Sequence, residues 1–125
     1  MPEKVSAKEL ADLMEQFCGT EQYYRLTSCL ITDGMKAVAD RAGAYWLAED
    51  IGCFSMEIAE RYHHLHPIIF WVLTVKDGKA SLVAWDDIPS ENPPLYQHHY
   101  DYTDFPEGDW KFYYQQGVVF LPSEY

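Results

Sequence analysis

No stretch of the 125-residue sequence reaches the roughly 18 consecutive apolar residues of a membrane span. The first residues, Met-Pro-Glu-Lys-Val-Ser, lack the apolar segment of a secretory signal, so residence in the cytoplasm is the expectation. Basic residues are scarce: 9 Lys and Arg stand against 20 Asp and Glu, a net charge of −11. A protein that tracks nucleic-acid phosphates needs the opposite balance, which excludes direct nucleic-acid binding. Cysteine is scarce too. Cys18, Cys29 and Cys53 are odd in number and form no C-x-x-C pair, which argues against a disulfide framework and against a four-thiolate zinc site. Three reduced, mostly buried thiols are expected. Glycine-rich phosphate loops, G-x-S-x-G elbows and H-E-x-x-H strings are all missing. No catalytic residue and no cofactor is assigned, and the chain reads as non-enzymatic.

What is present is one domain's worth of apolar sequence over residues 1–125, at 48% hydrophobic and 23% charged. Ser6 and Glu9 form a capping box ahead of Leu10, Leu13, Met14 and Phe17, which predicts an amphipathic helix stopping near Gly19. Residues 20–31 fit a short strand or an irregular packed segment. A second helix is predicted from Thr32 or Asp33 through Met35, Val38, Ala39 and Ala42 to Gly43, the left-handed stop. In a third, Leu47, Ile51, Phe54 and Ile58 make one stripe, with Gly52 a weak point where it would break early. After Pro67 the period changes to that of strands. Asp77-Gly78 and Gln116-Gly117 mark hairpins, and strands are expected over about 68–75, 79–85, 95–103, from 110, and 118–121. Helices first and strands afterwards predict an α+β fold, with three N-terminal helices packed on one face of a four- or five-stranded antiparallel sheet.

Two clusters hold all five histidines: His63, His64 and His66, and His98 and His99. With Asp101, the set His64, His66, His98 and His99 has the donor chemistry of a zinc, iron or nickel site, the basis of an alternative reading as a small metal-dependent hydrolase or small-molecule-binding protein. Ligand spacing on a helix is missing, and adjacent histidines serve equally as surface polar residues, so no metal is assigned.

Charge and aromatics coincide at the C-terminal end. Residues 86–125 carry eight acids against Lys111 alone, and so seven of the eleven net negative charges. In the third predicted strand Tyr96, His98, Tyr100 and Tyr102 share a side; in the fourth Trp110, Phe112 and Tyr114 do. Packing in the core accounts for most such rings. A surplus at the surface suits docking of a basic protein, including mimicry of a nucleic-acid backbone against a nuclease or defence complex. The residues singled out are Trp110, Tyr113 and Tyr114 as anchors and Asp104, Glu107 and Asp109 for steering. Burial of the aromatic side in a homodimer is the other outlet.

Several strings occur in a specific order: Phe17-Cys18-Gly19-Thr20-Glu21, Tyr23-Tyr24-Arg25, Thr32-Asp33-Gly34, Gly43-Ala44-Tyr45-Trp46-Leu47, Thr103-Asp104-Phe105-Pro106 and Leu121-Pro122-Ser123-Glu124. Together, from about Phe17 to the end, they resemble the bacterial DUF6876 family of small single-domain proteins. That resemblance implies an accessory role in phage, plasmid or gene-cassette DNA and carries over no catalytic residue. The stretch Glu57 to Pro67, with its three histidines, departs from the family's pattern.

Overall fold

A computed structural model describes residues 5–61, 68–87 and 91–125. Three helices, α1 (Ala7–Glu15), α2 (Asp33–Ala42) and α3 (Tyr45–Arg61), accompany seven strands. These are β1 (Tyr23–Arg25), β2 (Leu30–Thr32), β3 (Ile68–Lys76), β4 (Lys79–Trp85), β5 (Tyr96–Tyr100), β6 (Gly108–Gln115) and β7 (Val118–Phe120). They form one sheet in the order β1-β2-β7-β6-β3-β4-β5. The α+β class therefore holds, but the expected four or five strands understate the sheet. Strands β1, β2 and β7 span three residues each, too short to display a period of two. The sheet is also not wholly antiparallel: β2 runs parallel to β7, pairing Ile31 with Val119. That pairing joins segments nearly 90 residues apart, beyond the reach of any local pattern.

Local chemistry explains the helix limits. The Ser6 hydroxyl accepts from the Glu9 N–H and starts α1. Helix α1 ends at Gln16, short of Gly19. Thr32, not Asp33, caps α2 by accepting from the Met35 N–H, and Gly43 closes it at φ 62°. Gly52 does not break α3. It is buried where the helix crosses the β1–β2 connection, and a Cβ there would come within 2.7 Å of Ser28 Oγ and 2.8 Å of Cys29 Cβ. The glycine that weakens the helix locally is what lets it approach the loop.

Both predicted hairpins are present. Asp77 and Gly78 join β3 to β4, and Gln116 and Gly117 join β6 to β7, all four with positive φ. Strand β5 ends at Tyr100 rather than Thr103. The Thr103 N–H turns to the Gly78 carbonyl at 2.7 Å, and its hydroxyl accepts from the Phe105 N–H, which takes the chain out of the ladder.

Alternation divides the sheet into two faces. One carries Ile69, Trp71, Leu73, Val75, Leu82, Ala84 and Phe112, all buried. Helix α3 lies on that face. Ser55 accepts from the Trp71 indole at 2.9 Å, the Phe54 ring stacks on Tyr96 with centroids 4.7 Å apart, and Asp50 accepts from the Tyr100 hydroxyl at 2.6 Å. The Trp71–Ser55 bond is fully buried and satisfies the one polar group this core tryptophan brings in. Burial and the hydrogen bond to Asp50 both hold the Tyr100 phenol well above the ordinary tyrosine value, so it stays protonated.

An acidic end with one exposed tyrosine

The six residues singled out for docking do not share a surface. Strand β6 alternates, and Trp110 and Tyr114 point to the face that α3 covers, only 7% and 9% exposed. The Trp110 indole donates to the Pro106 carbonyl at 2.8 Å and its ring stands edge-on to Phe105. Both rings are core. Tyr113 points to the opposite face, half-buried, with Phe70 at 4.9 Å and Phe120 at 5.8 Å between ring centroids. Asp104, Glu107 and Asp109 are exposed. Two of them also hold structure: Glu107 accepts from the Asp77 N–H at 2.9 Å and Asp109 from the Thr74 hydroxyl at 2.9 Å. The first ties the β5–β6 connection to the β3–β4 turn, and the second joins β6 to β3 across their ladder.

The aromatic ring that is open to solvent at this end is Tyr102, at 78% exposure. Its chain neighbours Asp101 and Asp104 are exposed, and in the connection that follows, the exposed Glu107 accepts from the Asp77 N–H. An exposed phenol lies between two exposed carboxylates in the chain, Asp101 and Asp104. Period two groups Tyr102 with Tyr96, His98 and Tyr100 on one strand side, but the strand ends before it. The signal that separates it is Thr103, whose side chain closes a local turn onto Phe105, as Ser and Thr do where a strand is leaving its ladder.

The histidines divide as well. His63, His64 and His66 lie outside the described residues. His98 is on the α3 side, packed between Phe54 at 5.0 Å and Tyr100 at 4.7 Å. His99 is on the other side, with Nδ1 2.9 Å from the Ser81 hydroxyl oxygen. Adjacent strand residues diverge, so His98 and His99 do not act on one ion. Among the described residues no three His, Cys, Asp or Glu side chains converge as metal ligands.

Much of the acidity serves the fold. Glu49 accepts from the Thr27 and Ser28 N–H groups and from the Ser28 hydroxyl, closing the β1–β2 connection. Glu124 accepts from the Thr32 hydroxyl at 2.6 Å, the Gly34 N–H at 3.0 Å and the Leu121 N–H at 3.0 Å. An acid near the C-terminus thus supplements the N-cap of α2, where the helix dipole favours negative charge. Asp33 accepts from the Glu21 N–H and the Tyr24 hydroxyl. Those bonds, the backbone one first, hold its carboxyl below the usual aspartate value, while Tyr24 is pushed up by the same contact.

The cysteines depart from the expected burial. Cys18, in the loop after α1, and Cys53, on the outer side of α3, are exposed; Cys29 alone is buried. Burial pushes the Cys29 thiol up to about 11, which keeps it protonated and unreactive.

No helix among the described residues is long and apolar enough to cross a membrane. Neither the curated proteins nor the solved structures contain a match to this chain. Residues 8–125 do match a family of unknown function, DUF6876, in agreement with the ordered strings read from the sequence, and the chain belongs to that family.

Proposed function

We propose that this is a non-catalytic binding protein whose acidic end docks a basic segment of a protein partner. The observation that carries the reading is Tyr102, 78% exposed, in a chain segment whose acids Asp101, Asp104 and Glu107 are exposed as well. Tyrosine brings contact area at low entropy cost, the property that places it in binding hot spots. Carboxylates near it in the chain raise the encounter rate with a positively charged surface and turn away nucleic acid. Tyr102 replaces the core rings Trp110 and Tyr114 as anchor, while Asp104, Glu107 and Asp109 keep the steering role. An accessory role in bacterial mobile DNA, implied by the family resemblance, suits a protein that interferes with a basic partner in the cytoplasm.

The test is quantitative capture from a host lysate by wild type, by Tyr102→Ala and by the triple variant Asp104→Asn, Glu107→Gln, Asp109→Asn. Amide replacements keep an acceptor oxygen for Asp77 and Thr74, so the turn survives the loss of charge. A basic partner is expected on wild type, released by salt and depleted by both variants. Equal capture of that partner by all three proteins overturns the proposal.

A further inference from the structure

We propose a second site, which adjoins the docking surface at Asp101: a groove on the sheet face opposite α3 that takes a small phosphate monoester. The groove measures about 390 Å³ and is lined by Thr74, Lys76, Lys79, Ser81, His99 and Asp101 together with the edges of Ala80 and Tyr100. Ladder register brings these groups together. Lys76 stands directly opposite Lys79, Thr74 opposite Ser81, and Ser81 opposite His99. Alternation puts all of them on one face.

Two lysines directly opposite each other across an antiparallel pair repel. In a chain where acids outnumber bases by 20 to 9, an acidic partner for each would be the simple remedy. Of the acids at hand, Glu107 is committed to the Asp77 N–H and Asp109 to the Thr74 hydroxyl, and Asp101, which lines the groove, is not within ion-pair distance of either lysine. Among the described residues neither Lys76 nor Lys79 is in an ion pair; the pairs at short range are Lys36 with Asp40 and Arg41 with Glu9. A doubly charged anion between the two ammonium groups relieves the repulsion and matches the two charges. Lysine serves as a point-charge phosphate binder in such positions.

The rest of the groove narrows the ligand. His99 Nδ1 lies 2.9 Å from Ser81 Oγ. With the proton on Nδ1, His99 donates to Ser81, and the Ser81 hydroxyl hydrogen is directed to a phosphate oxygen. The Thr74 hydroxyl donates to Asp109 and contributes wall rather than donor. Asp101 sits at the same groove as an exposed carboxylate. Its charge opposes the phosphate, which lowers the affinity, and opposes a second anionic group as well, while its oxygens accept from a hydroxyl; the remainder of the ligand is therefore neutral and carries hydroxyls. The volume suits a small molecule. The net charge of −11 opposes any anion at long range and keeps the affinity modest.

The experiment is a titration of isotope-labelled full-length protein followed by amide chemical shifts. The probes are glycerol phosphate, inorganic phosphate and glycerol, with ionic strength held constant by sodium chloride. Saturable shifts confined to the residues around 74–81 and 99–101 are expected with glycerol phosphate, weaker ones with inorganic phosphate, and none with glycerol. The double variant Lys76→Gln, Lys79→Gln should lose them. Ser81→Ala should weaken binding by up to about fivefold, the range of an exposed charged contact. Because the lysines repel, the double variant should melt no lower than wild type in the absence of phosphate, which separates loss of the site from loss of the fold. Absence of saturation, undiminished shifts in the double variant, or binding of inorganic phosphate as tight as that of the ester each overturns the proposal.

Discussion

The two faces of the sheet are built from the same strands by the same alternation, and they differ in what they can do. On the α3 side, Trp71, Phe112, Leu73 and Leu82 are fully buried, and the polar atoms that enter are matched, as the Trp71 indole is by Ser55. On the opposite side Phe70, Val72, Val83, Trp85 and Tyr113 remain half-buried, interspersed with Thr74, Lys76, Lys79, Ser81 and Lys111. A face committed to the core has no freedom left for a partner. Chemistry available to another molecule therefore collects on the second face and at the sheet end where β5 leaves its ladder at Tyr102.

Substitution sharpens that difference most strongly in the core. Trp71→Ala removes the largest fully buried side chain and orphans the buried Ser55 hydroxyl. Thermal or denaturant unfolding should show a loss of about 3–5 kcal/mol, typical of deleting a core aromatic. On the other face Tyr113→Ala breaks edge-on contacts with Phe70, Phe120 and Tyr125 but leaves a partly hydrated site. Its cost should be smaller, about 1–2 kcal/mol on the scale of surface aromatic pairs. Similar losses for the two variants would mean the faces are not energetically distinct.

The smallest expected effect is electrostatic and depends on pH. The folded Asp33 carboxyl is held below its ordinary value by the Glu21 N–H and then by the Tyr24 hydroxyl. A group depressed on folding adds stability that is present above its unfolded value, about 3.9, and is lost as pH falls through the folded value. Asp33→Asn should therefore melt lower than wild type at neutral pH, with the gap closing below about pH 3.9. A gap constant with pH would show that the charge of Asp33 contributes nothing.

Where the sequence was legible, a residue's role depended on its immediate neighbours. Asp77-Gly78 and Gln116-Gly117 turn where they do because a left-handed residue pair joins two strands of matching twist. Thr32 and Gly43 bound α2 for reasons contained within one helical turn. The candidate site was only half legible. Its acids could be counted, but period two on β6 left open which side was core, and Trp110 and Tyr114 took the covered side. Period two places Tyr102 with the strand rings, and its departure depends on the Thr103–Gly78 bond across the sheet.

Composition and short-range pattern settle the class of fold, the capped starts of α1 and α2, both hairpins and the concentration of negative charge toward the C-terminus. Each follows from interactions a few residues long or from composition. Long-range packing set the rest. It placed β2 parallel to β7, kept α3 continuous through Gly52 by seating that glycine on Ser28 and Cys29, and sent Glu124 to the start of α2. It separated His98 from His99 and brought Lys76, Lys79, Ser81 and His99 into one groove. Such contacts join residues far apart in the chain, and their stability comes from packing and register, which local propensity does not encode.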